Sequence, residues 1–308
     1  MATVHRFIVA TEDEGCRLDQ VLARHVPGLS RRKARVLVDI GGVFVDKARV
    51  KIASRPARPG QAIEVHLGSA LAEARSEVGA EARALDRADL PEPRVLFEDE
   101  HVVVVVKPAG LVTAPTPESD RGNLADYLAR RPGAGPIHVV HRLDRPTSGV
   151  LVLAKSDLAN RTLGAAFAAH TVEREYHAVV AGALAAGLTI DRPIAGKRAV
   201  THVEVLEVVP GATVIAARLE TGRSHQIRLH LAGLGHPLLG DHQHGGEVAR
   251  RFAPRPPRLA LHARVLGFTH PATGAALRFE EPVPPELEAW LAEVRATAAE
   301  AHLAGGEA

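Results

Sequence analysis

From residue 94 to residue 280 the chain is a succession of short segments with strand character, at 95–97, 102–107, 150–154, 175–180, 203–208, 213–219 and 276–279. That succession excludes a helical bundle and a regular alternation of strand and helix; it predicts an α+β domain on a largely antiparallel sheet. Two helices interrupt the pattern. Leu158, Leu163, Ala166 and Phe167 suit a helix capped by Ser156, and Leu287, Trp290, Leu291 and Val294 form an i, i+3, i+4, i+7 stripe after Pro284-Pro285. With 308 residues, 46% of them hydrophobic, the chain can bury a sizeable core in one large domain or two unequal ones.

The first sixty-odd residues have another texture. Leu18, Val21 and Leu22 share one helical face, Pro27-Gly28 breaks the helix, and Ser30 can cap a second one that Gly41-Gly42 ends. Short strands at 43–45 and 63–65 complete a small α+β unit. The formal net charge is only +2, which does not by itself suggest nucleic acid, but the charge is unevenly placed. Residues 31–58 hold nine Lys or Arg against Asp39 and Asp46, whereas 68–93 hold Arg75, Arg83 and Arg87 against six acids. The second stretch has no aromatic residue and reads as a linker. The predicted organisation is a basic domain over 14–67, a linker over 68–93 and a larger domain over 94–300.

Cys16, the single cysteine, excludes an intramolecular disulfide framework and a multi-cysteine metal site. No apolar run approaches the roughly 18 residues of a membrane span, and the first sixteen residues lack the pattern of a signal peptide. A cytoplasmic protein without membrane attachment is expected. No P-loop or dinucleotide-binding glycine pattern occurs.

Two polar clusters stand out. The run His141-Arg142-Leu143-Asp144-Arg145-Pro146-Thr147-Ser148-Gly149 lies between apolar segments, so Asp144 is either half of a structural ion pair or a carboxylate kept ionised for chemistry. The second run is Glu220-Thr221-Gly222-Arg223-Ser224-His225-Gln226-Ile227-Arg228-Leu229-His230. If a helix begins near Arg223, then Arg223, Gln226, Ile227 and His230 follow one face and Arg228 points elsewhere. A cation at a helix start is mildly unfavourable, and makes more sense with an anion such as Asp144 opposite, although an exposed arginine tolerates the placement too.

Several chemistries compete for these residues. A glycosidase also cleaves at an anomeric carbon but typically needs two carboxyls, and here one acid stands among arginines. His225, His230, His236, His242 and His244 could suggest a metal, but their spacings match neither a zinc-protease helix nor a zinc finger. Ser224 has Gly222 before it, but Gln226 replaces the second glycine of a nucleophile elbow. A binding protein without catalysis would be expected to lack Asp144 or its surrounding pattern.

His141-Arg142-Leu143-Asp144 with Thr147-Ser148-Gly149 resembles the active-site signature of the RluA family of RNA pseudouridine synthases. Further family blocks follow in order: Lys107-Pro108-Ala109-Gly110, Arg174-Glu175-Tyr176, Gly222 to Arg228, Gly235-His236-Pro237, Gly240-Asp241, Arg258, and Leu261-His262-Ala263. Each is short, and their ordered co-occurrence is what is specific. Arg17-Leu18-Asp19, Ser30-Arg31-Arg32-Lys33 and Gly42-Val43 are similar to the S4-like RNA-binding domain that precedes many members' catalytic domains. Ser224, Ala114 and His244 depart from the family's usual Thr, His and Tyr.

The resemblance implies an α+β chain: a largely antiparallel mixed-sheet catalytic domain behind a small S4-like domain. It assigns Asp144 the essential step at the ribose, by attack or by proton removal, with Arg223 as its cationic partner. Tyr176 is expected to pack on the target base and to help remove its C5 proton. Arg142 is expected to fill the space of the flipped nucleotide, and His141 and Gln226 to bind substrate. Ser30, Arg31, Arg32, Lys33 and Arg35 are expected to meet RNA phosphates. The isomerisation needs no cofactor, and no metal site is expected. The implied partner is RNA, ribosomal large-subunit RNA ahead of transfer RNA, acted on by a monomer.

Overall fold

The computed structural model describes residues 3–39, 41–50, 52–67, 92–114 and 122–304; the side chains of Thr3, Arg32, Asp39 and residues 298–304 lie outside the description. Almost all of the expected linker, 68–93, is outside it as well. The described residues form two compact units.

The first unit runs through β1 (Thr3–Ile8), α1 (Leu18–His25), α2 (Arg31–Asp39), β2 (Val43–Val45), β3 (Ala48–Arg49) and β4 (Ala62–Leu67). Its antiparallel sheet has the order β1-β4-β2-β3. A boundary at residue 14 therefore leaves out β1, which pairs with β4 from Thr3↔Leu67 to Ile8↔Ala62. An edge strand whose side chains are mostly half-exposed carries little hydrophobic periodicity to announce it. Leu18, Val21 and Leu22 of α1 and Leu37 and Val38 of α2 bury the sheet face presented by Val43, Ile63 and Val65. Ser30 opens α2 by accepting the Lys33 N–H at 3.3 Å, which commits its hydroxyl to capping.

The second unit comprises β5 (Arg94–Glu98), β6 (Val102–Lys107), α3 (Leu124–Ala129), β7 (Ser148–Ala154), α4 (Asp157–Ala168), β8 (Glu173–Ala181), β9 (Leu188–Asp191), β10 (Val200–Val209), β11 (Ala212–Leu219), α5 (Gln226–Ala232), α6 (Gly246–Arg251), β12 (Leu261–Thr269), β13 (Ala276–Glu280) and α7 (Pro285–Ala304). Among the described residues, its nine strands form one sheet in the order β5-β6-β7-β12-β8-β11-β10-β9, with β13 added beside β12. Neighbours are antiparallel except β7 and β12, which run parallel where His262 meets Ser148. The fold is the expected mixed, largely antiparallel α+β architecture.

The valine run of β6 shows why the sheet lies inside. Val103 and Val105 face one way, with Leu111, Leu151, Leu153 and Tyr176. Val102 and Val104 face the other, with Val150, Val152, Leu163 and Leu266. A strand buried on both faces reads as an unbroken apolar run, and each buried valine contributes roughly 1.5 to 3 kcal/mol relative to exposure. Under β8 and β11, Leu287, Trp290, Leu291 and Val294 of α7 cover Val179 and Val214, as the predicted stripe requires. The opposite face, holding Tyr176, Leu143 and Ile227, is the one on which the polar clusters assemble. Among the described residues no helix is long and apolar enough to cross a membrane.

Candidate active site

The loop bearing Asp144 enters β7 and is fixed on several sides. Thr147 N–H donates to the Asp144 carbonyl at 3.0 Å, closing a turn. Thr113 clasps Leu143, its hydroxyl donating to the carbonyl at 2.9 Å and accepting the N–H at 3.2 Å. Gly149, at φ +122°, follows because a Cβ there would lie 2.2 Å from the Ala263 carbonyl oxygen of β12. Only glycine admits that approach of β7 to β12.

Lys107 ends β6 fully buried beneath this loop, and its ammonium donates to the carbonyls of Pro108 (2.9 Å), Leu111 (2.7 Å) and Arg145 (3.3 Å). Burial pushes its pKa down to about 7, while Asp144 pulls the other way. The residue ties the loop after β6 to the loop of Asp144. Beside it, Arg258 donates to the Ser148 hydroxyl at 2.9 Å, and Ser148 Oγ lies 2.8 Å from His262 Nδ1. With Arg258 donating, Ser148 gives its proton to His262 Nδ1, and burial holds that imidazole neutral with a pKa of about 4.

Asp144 opens onto a cleft of about 560 Å³ lined also by Arg142, Arg174, Tyr176, Arg223, His225 and Arg228. Among the described lining residues it is the only acid. Its hydrogen-bonding cation is Arg228, whose Nη1 donates to Oδ2 at 3.2 Å. The same guanidinium grips Asp241 with two bonds, from Nε at 2.7 Å and from Nη2 at 2.8 Å. Burial alone would lower the Arg228 pKa, but the bonds to Asp241 and Asp144 outweigh it and raise it. The expected pairing of Arg223 with Asp144 is thus corrected to Arg228. The physical reason is the helix start: α5 begins at Gln226, after His225 has taken a left-handed conformation (φ 56°), and not at Arg223. Arg223 sits before that turn, half-exposed at the rim of the cleft, and its Nε donates to the Arg198 carbonyl at 2.9 Å.

Three other expected contacts divide. Arg142 is exposed in the cleft, with Nη2 donating to Ser224 Oγ at 2.9 Å, and so stays available. His141 is occupied by the protein: Nε2 accepts the Val152 N–H at 3.1 Å, the ring stacks on Phe167 with centroids 4.3 Å apart, and burial lowers its pKa to about 3. Gln226 is buried with both ends in use. Its Oε1 accepts from Thr221 Oγ1 and the Arg223 N–H, and its Nε2 donates to the Val200 carbonyl and Thr201 Oγ1. Both line the cleft, but the Gln226 amide has every partner made within the protein, whereas His141 commits Nε2 to Val152.

Tyr176 lies on β8 with its ring in the cleft wall, buried to 8% exposure. Burial pushes its pKa up to about 12; Arg174 opposes the rise and Asp144 adds to it. A phenol held neutral in this way suits packing and hydrogen-bond donation better than proton removal near pH 7.

His225 places Nε2 3.8 Å from Asp144 Oδ1, and its Nδ1 is 2.8 Å from His244 Nε2. A carboxylate facing Nε2 favours the tautomer with hydrogen there, and Nδ1 then accepts from His244. Of the other histidines of the cluster, His230 engages Thr201 Oγ1 and the Arg192 carbonyl, and His236 the Ala181 carbonyl.

In the first unit Asp19 is buried and collects Arg17 at 3.1 Å, Arg31 at 3.4 Å and Arg35 at 2.5 Å, each guanidinium remaining a third to a half exposed. Three cations on one carboxylate leave a surplus of positive charge facing outward. Arg31 and Arg35 were expected there; Arg17 was not, since it precedes α1 and carries no periodicity. Lys33 donates to the Gly28 carbonyl at 3.2 Å, and the Arg32 side chain lies outside the described residues.

Comparison with known proteins places both units. Residues 101–233 match the family model described as RNA pseudouridylate synthase, and residues 16–63 match the S4 domain. Ribosomal large subunit pseudouridine synthase D of Pseudomonas aeruginosa is 38% identical over 312 residues, covering 90% of this chain and 91% of the relative. The protein of the same name from Nitrosomonas europaea is 36% identical, covering 91% of this chain and 85% of the relative. The solved structure of human RNA pseudouridylate synthase domain containing 4 overlays with a TM-score of 0.55 at 25% identity, over 71% of this chain and 97% of that one. With identity sustained across both units and over the whole span that builds the Asp144 cleft, the chain belongs to the RNA pseudouridylate synthase family, isomerases that convert uridine in RNA to pseudouridine.

Proposed function

We propose that this enzyme modifies uridines of large-subunit ribosomal RNA and that Asp144 is its catalytic carboxylate. One observation carries the assignment of the residue: among the described residues Asp144 is the single acid lining a cleft otherwise edged by arginines, held by a buried cation and still open to solvent. The relatives' names supply the substrate.

In the reaction the bond from ribose C1′ to uracil N1 breaks, the base turns, and C1′ rejoins at C5. The C5 hydrogen leaves as a proton and N1 gains one, so electrons balance without a cofactor. Asp144 acts at the sugar, as nucleophile at C1′ or as the base that takes a ribose proton. Arg228 and His225 orient the carboxylate and stabilise its negative charge. Tyr176 packs on the base, and Arg142 fills the place vacated when the nucleotide leaves its stack, at a cost of about a few kcal/mol. Arg17, Arg31, Arg35 and Lys33 contact phosphates away from the reacting base. Such RNA is met in the cytoplasm, and a monomer carries both the arginine surface and the cleft.

Pseudouridines mapped at single-nucleotide resolution in ribosomal and transfer RNA, with and without the gene for this chain, test the proposal. Loss of specific large-subunit positions is expected. Loss confined to transfer RNA would overturn the ribosomal assignment.

A further inference from the structure

The cleft contains a cation that the reaction as described does not use. Arg174 projects from β8 two residues before Tyr176 and is 8% exposed. Among the described residues no carboxylate pairs with it. Both of its hydrogen bonds come from Nη2, to the carbonyls of Leu219 at 3.3 Å and Glu220 at 3.2 Å. Its Nε is buried without a partner. Burial consequently lowers its pKa, since the guanidinium gives up water without gaining a counter-charge. Phe167 lies beneath it, with the guanidinium carbon 5.7 Å from the ring centroid.

Two further features sit around this arginine. His170, in a left-handed conformation after α4 (φ 61°), lines the same cleft with its Nδ1 buried and unpartnered. Gly222 faces Arg174 from the other side, where a Cβ would come within 2.8 Å of Nη1. Any larger residue at 222 would press on the guanidinium from the cleft side. Two buried nitrogens without partners and one positive charge without a carboxylate, carried by two residues that line one cavity, describe a site for an anion with several acceptor oxygens.

We propose that Arg174, with His170 beside it, binds the phosphodiester on one side of the target uridine. The proposal rests on the reading that an RNA nucleotide enters the Asp144 cleft. A phosphodiester supplies one negative charge and two non-bridging acceptor oxygens, whereas uracil is neutral and would leave the guanidinium charge uncompensated. Arg174 and Tyr176 project from the same face of β8, so a phosphate held by the first registers the nucleotide over the second. The role is substrate binding and positioning at the reacting nucleotide, distinct from the phosphate contacts of the first unit.

The test uses the full-length enzyme and an RNA stem-loop containing a mapped target, synthesised with a neutral methylphosphonate linkage on the 5′ or the 3′ side of that uridine. Turnover of the all-phosphate RNA by wild type tests the enzyme reading by itself. For wild type, one of the two neutral linkages is expected to weaken binding about tenfold or more. Arg174→Gln should weaken binding of the all-phosphate RNA by a similar factor and should lose the linkage effect, whereas Arg174→Lys should recover part of both. His170→Asn, which tolerates the left-handed backbone, should reduce the linkage effect without abolishing it and covers the case in which Arg174→Gln fails to fold. A wild type indifferent to both linkages, or a linkage effect undiminished in Arg174→Gln and His170→Asn, would overturn the proposal. A purely structural Arg174 would lower the melting temperature and leave the linkage effect in place.

Discussion

Each unit has a buried charge beneath the surface or cleft described above, and these two charges have opposite signs. In the first unit it is Asp19, with a fully covered side chain and three arginines left a third to a half exposed; a second covered anion, Asp13, pairs with Arg24 and His25. In the second it is Arg228, 5% exposed, holding Asp241 at 1% and Asp144 at 21%. A buried anion turns spare cations outward, which suits long-range attraction of a phosphate backbone. A buried cation already neutralised by Asp241 leaves Asp144 as the exposed arm, which suits chemistry on one nucleotide. On the proposed function, the same ion pair, inverted, serves affinity in one unit and catalysis in the other.

The largest expected effect comes from the exposed arm. Asp144→Asn removes the charge while keeping the size and one acceptor, so pseudouridine formation should fall about a thousandfold or more with melting temperature and RNA affinity nearly unchanged. Release of tritium from C5-labelled uridine in RNA, measured beside thermal melting, checks both halves. Appreciable release from a well-folded variant would remove Asp144 from the catalytic role.

Removing the buried cation should cost stability first. Arg228→Met leaves Asp241 buried with only the N–H groups of Gln243 and His244, both at 3.0 Å, and should destabilise by roughly 3 to 5 kcal/mol. Arg223→Ala, at the rim, should stay within about 0.5 kcal/mol of wild type. Denaturant unfolding of the two variants side by side decides between them; equal losses would restore Arg223 as a partner in the buried pair.

This contrast marks what was legible in the sequence. The valine run of β6, the closing helix and the Asp144 turn announced themselves through local periodicity and turn chemistry. Arg228 did not, because the left-handed His225 that sets the true start of α5 has no pattern, and it takes Arg223 off the helical face on which it was expected to meet Asp144. Its bond to Asp241, thirteen residues on, is tertiary. Strand β12 was also missed as a strand, since its first residues read as a polar motif, though it supplies the only parallel pairing among the described strands. Lys107 was visible within a motif, but nothing in the sequence shows three carbonyls converging on its ammonium.

Acid should separate the two organisations. In the second unit burial lowers the pKa of His141 to about 3 and those of His177 and His262 to about 4. An unfolded histidine titrates near 6.5, so between that pH and the folded values the unfolded chain holds more protons and stability falls as pH falls. The slope is at most about 1.4 kcal/mol per pH unit for each group. In the first unit Asp19 suffers burial, but its bonds from Arg17 and Arg35 prevail and lower its pKa. Its contribution is present above the unfolded carboxylate value of about 3.9 and is lost only below it. Fluorescence of Trp290, the single tryptophan, reports the second unit, and amide exchange in α1 reports the first. The tryptophan-reported melting temperature should begin to fall below about pH 6.5 while α1 keeps its protection to near pH 4. Loss of both at one pH would mean that Asp19 and the histidines do not set the order.

The smallest effect belongs to the outward cations taken singly. Arg17→Ala or Arg31→Ala removes one arginine from Asp19 and leaves the other two, so the buried carboxylate keeps partners and the unit should stay folded. Each substitution should lower the slope of log affinity against log salt by about 0.7 to 0.9, the contribution of one phosphate contact. Asp19→Asn tests the organiser instead of the contacts: it keeps the unit's full set of arginines but leaves them repelling one another around a neutral amide. If Asp19 holds them in a surface shaped for phosphates, RNA affinity should fall although net positive charge has risen by one. If charge alone matters, affinity should rise, and the surface would then be a diffuse field with no built geometry. Filter binding at four or five salt concentrations, with melting curves for all three variants, distinguishes these outcomes, and an unchanged slope for Arg17→Ala would show that this arginine serves Asp19 alone.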